Sequence, residues 1–481
     1  MNMWRYKRFH VSYCVLLLGC GSLAGLALAL YLHITFAWIW LAVLALVLVW
    51  AMWSRRWFAC LVVLAVGVVL GLFRGSVYDS ALERTASYAD QNVVVSGVVH
   101  DDPTTEETAS LWTVRLTNIR LDQRRFTGDM YATVVSDTPL RRGDTLVLSG
   151  KARSGFGSFV LTMRRATVLQ RTASTDLFLQ MRDAFTTAVR RVMPEPEASL
   201  GVGFLIGQKS ALPDDLSDDM RTVGLTHIVV ASGYNLTILV RFARRLLAKT
   251  SRYLALVGSS LVVMGFVAVS GASPSMTRAA VVTLLSLLAW YVGRKFHPVQ
   301  LIVLVAAGSA LVQPTYLWSD IGWWLSFSAF FGVLVVSPLA VRAFARNQKQ
   351  PNATVQLVVE AVAALAMTLP ISVAVFGYVP VLSLLANLLV VPTIPFAMAA
   401  VFVAGVVGLI APVAALVAAP ASLLTAYVVR IVHTLAAVPW ARFDTTVSIA
   451  VVVGWYVLLG GCLVAVWRRH RVDMRQLSVV E

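Results

Sequence analysis

Long apolar runs joined by short polar segments make up most of this chain, with one interval of a different kind. Three runs, near 11–32, 34–53 and 57–73, open it. Each approaches or reaches the roughly 20 residues that a helix needs to cross a bilayer core. From about Val77 to Gln170 the pattern changes to alternation. NVVVSGVV, LWTVRLTNIRL, DMYATVVS, DTLVLSGKAR and SFVLTMRRATVL are short β-branched runs broken by Gly, Asp and Pro. Period-two alternation predicts a five-stranded or similar all-β module. An OB-like barrel and a small sandwich both satisfy the spacing.

LFLQMRDAFTTAVRRVM follows, with Phe178, Met181, Phe185, Ala188 and Val192 at helical spacing opposite Arg182, Asp183, Arg190 and Arg191. This fits a helix lying along a membrane surface, or an ordinary helix packed on the β module. After acidic PDDLSDDM, apolar runs return near 223–240, 253–270, 274–292, 298–313, 321–341, 356–376, 381–411, 413–437 and 446–467. The 381–411 run contains PTIP and reads as one span or two broken halves. The predicted fold is a polytopic α-helical membrane protein of about twelve spans carrying an extracytoplasmic, OB-fold-like β domain. Its segments are 1–76 (N-terminal helices), 77–176 (β domain), 177–222 (amphipathic linker helix and acidic loop), 223–467 (transmembrane domain) and 468–481 (cytoplasmic tail).

Composition agrees with the pattern: 58% of the 481 residues are hydrophobic and 13% charged, against about 25% charged in average soluble domains. The net charge of +16 would suggest an anionic partner in a soluble protein, but cytoplasmic loops collect Lys and Arg whatever the function. With WRYKR inside, SRR, RFARR, GRK, RAFARNQK and WRRHR also fall inside, while DDP, YLWSD and ARFD fall outside. Both termini are thus expected in the cytoplasm and the β domain outside. Within Val77–Gln170 acidic and basic residues nearly cancel. Only the pairs Arg124–Arg125, Arg141–Arg142 and Arg164–Arg165 hint at a basic strip, and each alone also fits a solvated strand face. The four cysteines, Cys14, Cys20, Cys60 and Cys462, lie in apolar runs, so neither a disulfide framework nor a Cys-based zinc site is expected. The basic start lacks a convincing cleavage pattern and reads as an uncleaved first span.

Polar residues inside apolar runs are the candidate chemistry, because an ionisable group in a bilayer is costly and marks a pathway or a partner. GLTHIVVASGYN carries His227, Ser232, Gly233 and Asn235. On a regular helix Asn235 lies two turns deeper than His227 on a similar face. An interfacial histidine and an interhelical serine bond are the structural alternatives. SGASPSMTRAAVV places Arg278 one turn inside the outer surface, where it could also snorkel to the interface. Asp320, in YLWSDIGWW, falls at the same depth, which makes an Arg278–Asp320 pair testable. Asn387, in VLSLLANLLVVPTIP, precedes two prolines, and broken helices of this kind line cavities in transporters.

Enzyme motifs are scarce. GFLIGQKS has Gln208 between Gly207 and Lys209 and the wrong glycine spacing for a phosphate loop. The seven histidines form neither H-x-H-x-D-H nor H-E-x-x-H. Neither an ATPase nor a nuclease is expected, and no cofactor or metal.

Four motifs in order resemble the ComEC/Rec2 family of competence proteins. GLTHIVVASGYNLTILV is similar to the family's GLxHLLAxSGLHxG. SPSMTRAAVVTLLSLLAWYVGRKFHPVQ resembles its SxxRAxxM…GR segment. QPTYLWSDIGWWLSFSAFFGVL and LPISVAVFGYVPVLSLLANLLVVPTIP resemble its l-x-D-x-GFqLSF and FG…aNLlxxP patterns. The family's second motif histidine is Asn235 here. The resemblance implies a channel for single-stranded DNA across the cytoplasmic membrane during natural transformation. His227, Ser232, Gly233, Asn235, Arg278, Asp320 and Asn387 would then serve translocation, and the three arginine pairs would be DNA contacts. Trp112, Phe126, Tyr131, Phe156 and Phe159 would stack bases if they face outward, against the alternative of burial in the β core. Longer family members add a metallo-β-lactamase-like domain that this sequence does not show after WRRHR. The implied partners are therefore single-stranded DNA, membrane lipids, an extracytoplasmic DNA receptor, a separate nuclease and a cytoplasmic helicase or ATPase. The oligomeric state is open. A multi-pass carrier of a lipid-linked or small anionic substrate is the rival reading, and a hydrolase built on His227 and Ser232 a third.

Overall fold

The computed structural model describes residues 11–32, 43, 46–47, 49, 58–105, 111–121, 124–208, 212–229, 233–294, 297–344, 353–410 and 415–470. The chain forms two compact units, one of residues 1–176 and 300–323, the other of 177–299 and 324–481. Residues 300–323, which the sequence places within 223–467, thus cluster with the N-terminal helices and the β domain. Among the described residues eight helices are long and apolar enough to cross a membrane, and three shorter ones are also apolar. The protein is a membrane protein with a β domain. The predicted span 34–53 and Ser232 lie largely or wholly outside the described residues.

In the first unit, helices Val11–Ala29 and Phe58–Ala86 pack along glycines. A Cβ at Gly21 would lie 2.4 Å from the Leu64 carbonyl oxygen, one at Gly25 2.0 Å from that of Val68, and one at Gly71 2.2 Å from that of Ser22. Backbones this close suit membrane helices, whose association depends on small residues and van der Waals contact. The contacts advance together, Gly21 near Gly67 and Gly25 near Gly71, so the two helices run parallel. The second helix continues to Ala86, past the predicted end of its span at 73 and the expected start of the β domain at 77. Its polar last turns carry the barrel: Thr85 Oγ1 donates to the Thr127 carbonyl at 3.1 Å. Below them, Arg74 donates to the carbonyls of Leu311 and Val312, both at 2.8 Å, at the end of helix Pro298–Val312.

The β domain has seven strands: β1 (Asn92–Val99), β2 (Thr104–Thr105), β3 (Leu111–Leu121), β4 (Arg124–Arg125), β5 (Asp129–Val135), β6 (Thr145–Ser154) and β7 (Phe159–Thr172). Five of them close a ring in the order β1–β3–β5–β7–β6, with β6 returning to β1; only β5–β7 is parallel. That is a five-stranded OB-like barrel. Alternate residues of each strand fill it: Val95, Leu116, Met130, Ala132, Leu148, Leu161 and Met163 have no exposed surface.

In the second unit, helix Leu177–Val192 packs its Phe185, Ala188 and Val192 against Gly405 and Gly408 of helix Ile394–Ile410. It belongs to the helical unit and not to the β module, while its first turn leaves Leu177, Phe178 and Met181 exposed. The run 381–411 is one span: Ser383–Val390 and Ile394–Ile410 are joined by a single 3-10 turn, Val391–Thr393. Within the run 223–240 the described helical parts are Thr226–Val229 and Gly233–Leu247, which hold His227 and Asn235 respectively. His227 and Asn235 reach different partners, the Gly224 carbonyl and the Phe204 carbonyl.

Candidate functional site

The helical unit holds three polar clusters built by the breaks in its helices. Helix Glu197–Ile206 ends at Gly207, in left-handed conformation. The carbonyl of Phe204, near that end, accepts a hydrogen bond of 2.9 Å from Asn235 Nδ2. Asn235 is fully buried, so it ties the start of one helix to the end of another. Beside it, Gly233 opens helix Gly233–Leu247 against helix Pro274–Val292, where a Cβ would lie 3.0 Å from that of Ala279.

Arg278 stands on that second helix, which begins at Pro274 as the sequence predicts, with Ser273 accepting from the Met276 amide at 3.4 Å. Arg278 does not snorkel: it is buried, with its guanidinium 5.9 Å from the Phe327 ring centroid. Asp320 lies in the other unit; its backbone carbonyl accepts from the Trp323 amide at 3.1 Å.

The third cluster is open. Gly224 adopts φ 75°, and a Cβ there would lie 2.9 Å from Ser383 Cβ and 3.0 Å from Pro380 Cγ. Only glycine combines that backbone with that approach. His227 Nδ1 donates to the Gly224 carbonyl at 3.1 Å, and the ring also bonds the Asn387 side chain. Asn387 Nδ2 in turn donates to the Ser383 carbonyl at 2.8 Å. The His227 side chain is exposed on the surface of the protein. Nearby, Tyr378–Pro380 pairs antiparallel with Arg442–Asp444, and Arg442 stacks over Tyr378 at 4.3 Å. Of the seven residues singled out from sequence, the structure therefore joins His227 with Asn387, places Gly233 next to the Arg278 helix, and buries Asn235 and Arg278.

The barrel has its own surface. The arginine pairs occupy three separate places and do not form one strip. Arg124 and Arg125 are exposed on β4, where Arg125 is registered with Arg120. Arg141 and Arg142 lie in the turn before β6, where buried Asp144 accepts from the Arg141 amide at 3.0 Å. Arg164 and Arg165 are exposed on β7, and the Arg165 amide donates to Thr133 Oγ1 at 2.8 Å.

Trp112 and Phe126 pack against the core. Tyr131, Phe156 and Phe159 instead meet edge to face outside it, with centroids 5.4, 5.5 and 5.4 Å apart. Register aligns Arg115, Tyr131, Thr162 and Arg153 in one outward row across β3, β5, β7 and β6. Arg115 bonds Asp129 at 2.6 Å and Asp101 at 3.4 Å, and its guanidinium lies 5.7 Å from the Phe159 centroid. Asp129 and Asp101 hold the Arg115 guanidinium above its usual range against the opposing effect of burial. Sequence reasoning passed over Arg115, Arg153 and Thr162. Strand alternation marks each as outward, but only the pairing order sets them side by side.

Residues 204–470 match a family model described as Competence protein. No curated protein and no solved structure matches the chain.

Proposed function

The chain belongs to the competence-protein family, and from that premise we propose that it carries single-stranded DNA across the cytoplasmic membrane during DNA uptake. The observation that carries the reading is the coincidence of the family match, 204–470, with the interrupted helices of the second unit. Interrupted helices near membrane depth are tolerated where they are buried in protein or line a water-filled cavity. A phosphate backbone needs hydrated donors along its way, as anions do in pores. His227 and Asn387 supply such donors at an accessible place, and they mark the outer mouth of the path in this reading.

Two packing relations support a topology of about twelve spans with both termini inside and the barrel outside. The parallel pairing of Val11–Ala29 with Phe58–Ala86 requires the chain between them to return to its starting side, which agrees with three spans before the barrel. The pairing of Tyr378–Pro380 with Arg442–Asp444 requires both loops on one side. Spans Ser383–Ile410 and Leu416–Ala436, two in number, satisfy it. On the charge pattern of the loops that side is the outside.

Internalisation of labelled DNA by a deletion strain, with and without the restored gene, tests the proposal. Loss of internalised single strands with retained surface-bound DNA is expected. Normal internalisation without the protein refutes it and leaves the anionic-carrier reading.

A further inference from the structure

The outward row on the barrel combines rings and cations in a way that fold stability does not require. Its core is complete without them: the residues that fill the barrel have no exposed surface, whereas Phe156 is 57% exposed. We propose that Tyr131, Phe156 and Phe159 form a base-stacking platform for single-stranded DNA, with Arg153, Arg164 and Arg165 contacting its phosphates. The proposal rests on the DNA-uptake reading and names the place where the strand is first held.

Three observations carry it. The rings lie on β5, in the β6–β7 connection and at the start of β7, beside Arg115 of β3; β3 and β5 are the second and third strands of the five-stranded barrel and that connection is its last loop. OB barrels use that face and that loop for oligonucleotides. The rings are set and not free to turn: Phe159 is held under Arg115, whose charge Asp129 and Asp101 already engage. Arg115 is therefore a positioning residue, and the phosphate contacts fall to other cations. Arg153, Arg164 and Arg165 form no ion pair with a described residue and lie on β6 and β7, next to the ring-bearing strand. Arg153 stands two strand spacings from Tyr131, about 10 Å. Bases of any sequence have a π face, so such a surface binds without strong sequence preference.

A bilayer anchor is the competing use of exposed rings. A lipid-inserting face keeps an apolar centre and puts its cations at the opposite face or rim. Here Arg115, Thr162 and Arg153 stand in the same row as Tyr131.

The test uses the full chain in lipid nanodiscs and a short fluorescein-labelled oligothymidine, followed by anisotropy. Phe156→Ala and Tyr131→Ala are expected to weaken binding about 5- to 100-fold each, and Phe156→Trp to retain it. Arg164→Gln is expected to lower the salt slope by about 0.7. Photocrosslinking with 5-iodouracil in the oligonucleotide should mark the 154–160 peptide. Unchanged affinity in both alanine variants overturns the platform. So does labelling of that peptide by a photoreactive acyl chain and not by the oligonucleotide. Wild-type protein that binds no oligonucleotide also overturns it, while internalisation in the deletion strain judges the uptake reading separately.

Discussion

Gly25→Val is the sharpest probe of the N-terminal helix pair. A Cβ at position 25 would stand 2.0 Å from the Val68 carbonyl oxygen and 2.8 Å from the Leu72 nitrogen. A carbon and a carbonyl oxygen need about 3.3 Å, so the backbones must part by about 1.3 Å at that level. Both obstacles are backbone atoms and cannot swing aside as a side chain would. Contacts opened by that much lose a quarter to a half of their attraction, and overpacking in close-packed cores costs about 1–3 kcal/mol. That shifts the balance between paired and parted helices about 5- to 150-fold. The native cysteines report it. Cys14 and Cys60 lie on the paired helices close enough to interact electrostatically, in step with Gly21–Gly67 and Gly25–Gly71. With Cys20 and Cys462 replaced by serine, copper-phenanthroline oxidation should join Cys14 to Cys60, read as the joint loss of two PEG-maleimide additions. Gly25→Val should cut that yield sharply, whereas Gly265→Val, at a site with nothing within 4 Å, should not. A variant at Gly25 that crosslinks like the parent, or a parent that fails to crosslink, refutes the parallel glycine packing.

Asn235→Ala leaves the Phe204 carbonyl unpaired in a dry place. It should cost about 1–3 kcal/mol, seen as a lower melting temperature in detergent, with Asn235→Gln no better because the longer amide overshoots. His100, at the end of β1, titrates below the usual imidazole range, chiefly from burial, with Asp101 opposing and Arg115 and Arg142 adding. The unfolded chain then binds more protons between the folded value and about 6.5. Barrel stability should be complete above pH 6.5 and fall as pH drops below it, measured by hydrogen exchange of 92–172, and His100→Gln should flatten the slope. Cysteines placed together at the registered positions Val379 and Phe443 should form a disulfide, and each placed singly should react with a membrane-impermeant thiol reagent added outside. Labelling only from inside would invert the proposed topology. Arg278→Ala should stop internalisation with surface DNA binding intact, and normal internalisation by an inserted variant would make Arg278 only an anchor.

Much of the fold is legible in the residues because each local rule has one dominant cause. Apolar runs near twenty residues leave helices little alternative, and strand alternation at Val114, Leu116, Met130 and Ala132 points inward as it predicts. Boundaries fared worse where a helix outlasts its apolar segment. Phe58–Ala86 runs past its lipid-length part through RGSVYDSALERTA because the barrel packs on its polar end. Spacing alone also does not give the partners of His227 and Asn235, which bond the carbonyls of Gly224 and Phe204. The aromatic platform needed topology. Phe156 and Phe159 read as core or surface with equal right until the β5–β7 pairing brings Tyr131 beside them.

The residues chosen for their awkwardness in lipid divide in a way that constrains a translocation path. Asn235 and Arg278 are buried, one bonded to a helix end and the other beside a ring, whereas His227, which bonds Asn387, is exposed. In the proposed DNA path, His227 and Asn387 are the donors a strand meets without a rearrangement of these helices. A path along Asn235 requires Glu197–Ile206 to part from Gly233–Leu247. Breaking the Asn235 bond is a small barrier if water enters, since the net worth of such a bond is about 1 kcal/mol. Arg278, buried beside the Phe327 ring, stands on helix Pro274–Val292, against which Gly233 packs. An opened form should expose Asn235 and Arg278 together, which thiol accessibility at position 235 with and without a transported strand can decide.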